Sequence, residues 1–267
     1  MRGRAGIPSE RALDGIVLRA RSHVRQIVLN EPDRRNPMSP AIMRGLDKAC
    51  DLIEADDQVR AVIVTGAGTA FCAGGDLAYN DKHLQGPAEG QHGFLTSLYR
   101  PFLRVLDLPV PTIAAINGAA VGGGLAFAML CDVRIAAENA KLVTAFAEMG
   151  FAPGLGLTYT LERHVGLATA AELLYTGRIL TGTEAVEVGL VNRAVAIEQL
   201  ERESWSMAGQ IADNSPAVNR LVKAAMFTSY RAELRQRLER DILAQVMTSV
   251  GEDYRERRAA RRNAADA

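Results

Sequence analysis

Two glycine-rich segments hold the residue pattern in this 267-residue chain best suited to chemistry. The first is Thr69-Ala70-Phe71-Cys72-Ala73-Gly74-Gly75-Asp76-Leu77, and the second is Ile116-Asn117-Gly118-Ala119-Ala120-Val121-Gly122-Gly123-Gly124-Leu125. Each follows an apolar run that reads as a strand, and the second opens into a helix. Glycine lets backbone approach a ligand closely because no Cβ intervenes. A helix start leaves backbone N–H groups without partners, at the positive end of the helix dipole. Two such segments can bring two N–H donors to one oxygen. The same composition also serves as a plain packing turn between strand and helix, so glycines alone do not decide the matter. Neither segment fits G-x-G-x-x-G with a downstream acidic residue, and G-x-x-x-x-G-K-[ST] and G-x-S-x-G are absent. Nucleotide loops and the serine elbow of α/β-hydrolases are therefore disfavoured.

The other reactive side chains are scattered. Cys50, Cys72 and Cys131 have neither metal-ligand spacing nor an even number for a disulfide framework. His83 and His92 fall in a polar stretch, 79–92, that contains Gly86-Pro87 and reads as a flexible loop with solvated histidines. Asp76 reads as a residue that holds its turn. The 31 basic and 31 acidic residues cancel, and aromatics make up only 5%. That balance gives no global attraction to nucleic acid or anionic membranes and no stacking platform for single strands. Leu108 to Cys131 carries no charge, but its prolines, Asn117 and glycines read as buried core rather than a membrane span. Met1 to Ile7 has two arginines and no following apolar run, so no secretory signal is read and a cytoplasmic setting is expected.

These segments need a scaffold, and the flanking pattern supplies one. Gly15 to Ala20 and Val24 to Leu29 are β-rich runs around a polar turn, a hairpin signal. Ser39-Pro40 opens a helix with apolar residues at helical spacing through Ile53. Strands are predicted at 59–65, 112–116, 133–136 and 141–143, with helices at 94–106 and from 122 onward. This alternation favours an α/β core of β-β-α turns. From 168 the pattern turns helical, and 255–262 carries five arginines before trailing into alanine. The chain divides into a disordered segment 1–12, a core over 13–195 and a helical region 196–267.

The motifs VTGAGTAFCAGGDL (64–77), PTIAAINGAAVGGGLAFAMLCDVRIAAENAKL (111–142) and LLYTGRILTGTEAVEVGLVNRAV (173–195) resemble the enoyl-CoA hydratase/isomerase family, the crotonase superfamily. IVLNEPDRRNPMS (27–39) is similar to that family's first strand and CoA-contacting loop. The resemblance runs from about residue 13 to 260. It implies a crotonase (ClpP-like) spiral of β-β-α turns with a helical C-terminal trimerisation region, hence a homotrimer or hexamer. It implies an acyl-CoA substrate, with CoA as the substrate's carrier and no separate cofactor or metal. The N–H groups of Gly75 and Gly123 would form an oxyanion hole. Arg34, Arg35, Asn36, Ala73, Asp76 and Leu77 would contact CoA, and Phe146 would line the acyl pocket. Donors aimed at an enolate oxygen stabilise the charge that builds there, roughly 2.7–4 kcal/mol for one donor.

The chain departs from that family at its acids. The first hydratase glutamate position holds Ala126, the second Phe146, and the aspartate position of some isomerases and dehalogenases holds Gly154. General acid–base groups contribute about 10²–10⁴-fold each, so ordinary hydration should suffer severely. Glu148, two residues past Phe146, is the nearest substitute base, and a solvent-facing role is its ordinary alternative. The expected activity is hydration or, better, double-bond isomerisation of an enoyl-CoA, or turnover of a special substrate. The alternative is a catalytically silent acyl-CoA-binding protein of the same fold.

Overall fold

The structure is a computed structural model that describes the backbone of residues 10–265 and the side chains of residues 10–261. Three antiparallel strands open the chain: β1 (Glu10–Leu13), β2 (Ile16–Arg21) and β3 (Val24–Leu29). The disorder expected for 1–12 therefore fails at residues 10–12, which pair with β2, and its remainder lies outside the described residues. Ser39 caps α1 (Pro40–Glu54) by accepting from the Ile42 amide at 3.2 Å, with Pro40 in the first turn where no N–H is needed. The apolar stripe of α1, Ile42, Leu46, Ala49, Cys50 and Ile53, is fully buried.

The chain then alternates between two sheets. β4 (Ala61–Gly66), β5 (Ala70–Cys72), α2 (Leu77–His83) and α3 (Ala88–Asp107) form one turn of the winding. β6 (Thr112–Ile116), β7 (Ala119–Val121) and α4 (Gly123–Met129) form the next. β8 (Val133–Ala137) and β9 (Lys141–Val143) begin a third, followed by α5 (Leu157–Val165) and α6 (Leu167–Thr176). β10 (Leu180–Thr181), α7 (Gly182–Glu187) and β11 (Arg193–Val195) complete the sheets. The larger sheet runs β1-β2-β3-β4-β6-β8-β11, parallel from β3 onward, and the smaller runs β10-β9-β7-β5. The expected spiral of β-β-α turns is thus the observed one.

α8 (Ile197–Asp213) follows β11 directly at the boundary placed at 195. Its Leu200, Ala208 and Ala212 pack on Ala61, Ile63, Ile113 and Ile135, covering one face of the larger sheet. The alternate residues Val62 and Val64 face the main core on the other side. The Ala61–Val64 run of β4 is apolar because both of its faces are buried. α8 therefore belongs to the body, and only α9 (Pro216–Ser249) and α10 (Glu252–Ala265) return across it. α9 is tethered by Lys223, whose ammonium pairs with Asp132 at 2.8 Å and donates to the Val110 carbonyl at 2.9 Å.

Two further expectations change. Residues 79–92 are not a flexible loop: they hold most of α2 and the start of α3, because Asp76 caps α2 and Gln91 anchors the intervening turn through the Gly86 carbonyl. The arginine-rich end is helical, its residues held by Asp253 to Arg257 at 2.6 Å and Asp81 to Arg258 at 3.1 Å. Among the described residues no helix is long and apolar enough to cross a membrane.

Candidate active site

β5 and β7 are parallel neighbours, so the two glycine segments emerge side by side at the end of the smaller sheet. Past each strand the backbone enters the left-handed region, with φ of +86° at Gly74 and +52° at Gly122. The first turn of α4 lies directly against β5: a Cβ on Gly124 would stand 2.1 Å from the Cys72 carbonyl oxygen. A Cβ on Gly74 would lie 3.3 Å from the Gly123 nitrogen, and one on Gly123 would lie 3.8 Å from the Gly75 nitrogen. Gly75 and Gly123 are thus adjacent walls of one space. Among the described residues, neither amide donates to a protein acceptor. Met38 completes this corner, its own amide donating to the Gly74 carbonyl at 2.7 Å.

The space is a cavity of about 380 Å³. Met38, Leu98, Val121, Phe146, Met149 and Phe151 supply apolar walls. Its sole carboxylate among the described lining residues is Asp76, which is already committed. Asp76 is buried, accepts from the Tyr79 amide at 3.3 Å as the cap of α2, and accepts from the Arg34 guanidinium at 2.9 Å. The hydrogen bond to Asp76 raises the Arg34 pKa further, so this cation is permanent. Burial pushes the Cys72 thiol, beneath the glycine turn, up to about 12, which leaves it protonated and unreactive.

Of the residues expected from sequence, Gly75, Gly123, Arg34, Ala73, Asp76, Leu77 and Phe146 line the cavity together. Arg35 and Asn36 do not. Arg35 ends the 3-10 turn Pro32–Arg34 at φ +60°, with its side chain exposed and its carbonyl accepting from the Ala73 amide at 2.9 Å. Asn36 is fully buried, accepts from the Glu31 amide at 2.9 Å and donates to the Ala67 and Ala70 carbonyls at 2.9 Å each. Its amide is used up holding the loop to β5, so it positions Arg34 and Ala73 without reaching the cavity.

Glu148 also moves out of the site. It sits on the 3-10 turn Ala147–Met149, its side chain 64% exposed and paired with Arg261 at 3.1 Å. Phe146 and Met149 of the same segment face the cavity while Glu148 faces the C-terminal helix. The turn, rather than an extended strand, is the reason: a two-residue step there does not return to the same face. His83 stacks on Phe94 with centroids 4.5 Å apart, and His92 meets Glu239 at 3.1 Å; neither lines the cavity.

The three positions at which the sequence resemblance implies an acid have distinct surroundings. Ala126 is fully enclosed in the core, and Phe146 is a cavity wall. A Cβ on Gly154 would lie 2.3 Å from both the Tyr99 hydroxyl and the Gln245 amide nitrogen, so those two groups occupy the space an acid would need. Tyr99 on α3 and Gln245 on α9 both line the cavity, and the Tyr99 hydroxyl donates to the Gln245 carbonyl oxygen at 2.6 Å. The Gln245 amide nitrogen donates to the Ala152 carbonyl at 3.1 Å, which fixes its orientation. Burial raises the Tyr99 phenol well above the usual range. Sequence reading missed this pair: Tyr99 lies on the apolar stripe of α3 beside Leu95, Leu98 and Phe102 and reads as core.

Comparison with known proteins now decides the family. A profile described as "Enoyl-CoA hydratase/isomerase" matches residues 19–262. The chain belongs to the enoyl-CoA hydratase/isomerase family. It is 41% identical over 203 residues to a putative enoyl-CoA hydratase of Thermus thermophilus, covering 76% of this chain and 80% of that protein. It is 38% identical over 236 residues to a putative enoyl-CoA hydratase/isomerase of Bacillus subtilis, covering 88% and 89%. The crystal structure of an enoyl-CoA hydratase from Bacillus anthracis superimposes with a TM-score of 0.76 at 35% identity, covering 94% of this chain and 96% of that one. Membership of the enoyl-CoA hydratase/isomerase family gives the paired glycine turns a chemical context, and the Tyr99–Gln245 pair marks what this member places beside them.

Proposed function

We propose that this chain binds an acyl-CoA thioester in the cavity, with the thioester oxygen between the amides of Gly75 and Gly123, and stabilises the enolate that forms there. The convergence of two uncommitted backbone donors in an apolar-walled cavity carries this reading. Such donors strengthen as charge moves onto the oxygen, and each is worth roughly 2.7–4 kcal/mol in a water-excluded site. Arg34 and Arg261, both partly exposed on the lining, offer cations to the CoA phosphates through charge-assisted hydrogen bonds. CoA arrives with the substrate; no separate cofactor is invoked.

Hydration or double-bond isomerisation of an enoyl-CoA is the family's nominal chemistry, and here it lacks both carboxylates at the usual positions. Each absent acid–base group removes about 10²–10⁴-fold. A second reading, an acyl-CoA-binding protein without turnover, is favoured by Ala126, Phe146 and Gly154. The oxyanion reading is testable without turnover. A CoA thioether bearing a nitro group, ionised as its nitronate, imitates the enolate. It should bind at least about 10²-fold more tightly than the matching S-ethyl-CoA in calorimetric titration. Equal affinities would sink the oxyanion hole, and measurable enoyl-CoA turnover would rule out the silent binder.

A further inference from the structure

We propose that a second cavity, beside the one described above, receives the far end of the acyl chain, and that this end carries a carboxylate. The substrate class is then an ω-carboxyacyl-CoA. This rests on the acyl-CoA reading above and specifies the chemistry at the other end of the acyl group. The observation behind it is a pair of guanidinium groups, Arg255 and Arg258, with unused donors on a cavity that shares Tyr254 with the first one.

The second cavity, about 430 Å³, lies between the turn that joins α2 to α3 and the first turns of α10. Among the described side chains of α10 only Tyr254 and Arg258 are buried, one helical turn apart on a single face. Tyr254 packs on Phe151, a wall of the first cavity, with ring centroids 5.0 Å apart. Among the described residues Tyr254 alone lines both cavities. An acyl chain that leaves the glycine amides along Leu98 and Phe151 meets this ring, and the space it enters on passing the ring is the second cavity.

Most polar groups of the second cavity are already spent. The Ser249 hydroxyl donates to Gln91 Oε1 at 2.5 Å, and the Gln91 amide nitrogen donates to the Gly86 carbonyl at 2.8 Å. Asp81 accepts from Arg258 twice, from Nε at 3.1 Å and from Nη2 at 2.5 Å. Nη2 also reaches the Leu77 carbonyl at 3.3 Å. Arg258 Nη1 has no acceptor among the described residues, although this side chain is only 6% exposed. Arg255, three residues earlier on α10, is exposed at the rim and forms no ion pair or side-chain hydrogen bond among the described residues. Two guanidinium groups thus face one carboxylate, which leaves one positive charge in excess. A buried cationic donor without an acceptor is costly, and an anion relieves that cost. The planar fork of a guanidinium matches a carboxylate, and Asp81 already holds Arg258 in place to receive one. A methyl end in the same space would leave both donors unpaired.

The test titrates the full chain by calorimetry, at fixed ionic strength, with matched pairs of saturated acyl-CoAs. Glutaryl-, adipyl-, suberyl- and sebacyl-CoA are set against pentanoyl-, hexanoyl-, octanoyl- and decanoyl-CoA. At the chain length that reaches Arg258, the carboxylated member should bind about 10–10²-fold more tightly than its methyl-ended partner. Arg255→Gln and Arg258→Lys should each cut that preference about tenfold, through lost affinity for the carboxylated member. Lysine keeps a cation beside Asp81, and thermal unfolding shows whether the variant folds. Should Arg258→Lys fail to fold, Arg255→Gln carries the test, because that side chain is exposed. Equal affinities at every length, or a preference that both variants retain, overturn the proposal. Free adipate, suberate or inorganic phosphate held by the same arginines as tightly as the CoA esters would assign the cavity to a free anion and overturn it too. If neither series binds, the acyl-CoA reading has failed as well; if both bind equally, that reading stands and only the carboxylate end falls.

Discussion

Asp76 and Glu148 show how one functional group, a carboxylate, acquires two roles from its surroundings. Asp76 is 6% exposed, with an arginine and a helix amide on its carboxylate, and serves structure. Glu148 stands in solvent on a 3-10 turn, and its contact with Arg261 joins two partly exposed side chains. Such pairs contribute about 0–1 kcal/mol. Glu148→Gln should therefore leave turnover of any accepted acyl-CoA within about twofold and shift the denaturation midpoint only slightly. A loss of about 10²-fold in kcat would return the base to Glu148. Asn36 makes the complementary point. It lies in the loop where a CoA contact was expected, yet its side chain is consumed by four backbone partners, and its value is the position it gives to its neighbours.

At the scale of elements, α5 joins two titratable groups of opposite sense, one buried and one half-buried. Asp241 of α9 accepts from the Thr158 hydroxyl at 2.8 Å, but burial pushes its carboxyl up to about 6. His164 of α5 is held down to about 4 by burial, reinforced by the nearby Arg134 cation. Between about pH 4 and 6 the native protein binds more protons than the unfolded chain at Asp241, so that group's stability contribution falls as pH rises. His164 does the opposite: the unfolded chain takes up its proton first, so that contribution falls as pH drops from about 6.5 toward 4. The two slopes, each at most about 1.4 kcal/mol per pH unit, largely cancel. Urea titrations from pH 4 to 6.5 should show nearly flat stability in the wild type. Asp241→Asn should leave a stability that rises with pH, and His164→Gln one that falls. Matching profiles in all three proteins would remove both groups from the account.

Among the described residues, several large apolar side chains of α6 and α9 stand exposed. Leu167 and Tyr175 of α6 are 69% and 81% exposed, and Leu243 and Met247 of α9 are 54% and 75% exposed. α6 and α9 border the same shallow depression, lined by Leu167, Leu174, Tyr175 and Thr248. Exposed apolar area of this kind marks a contact surface, in keeping with the trimer or hexamer expected from the sequence resemblance. Sedimentation should give a mass of three or six chains, and Met247→Glu should shift it toward one. A wild type that sediments as a single chain at micromolar concentration would refute the assembly.

Much of this architecture was written locally. Ser39-Pro40 starts α1, Asp76 starts α2, and Gly74 and Gly122 turn the chain with dihedrals that suit glycine. The doubly apolar runs of β4 and β6 declare parallel strands buried on both faces. Each of these signals depends on residues within a few positions of one another, so the sequence alone determined the winding and the two glycine turns. The tertiary structure decided which polar groups share the cavity. Tyr99 and Gln245 lie 146 positions apart, and their hydrogen bond forms because α9 lies along α3, held there by Arg235 on Asp107 at 2.6 Å and Glu239 beside His92 at 3.1 Å. The ejection of Glu148 depends on a single turn of 3-10 geometry packed against α10. Periodicity shows which face of a helix is buried. Only the packing of helices against the sheets fixes what that face meets.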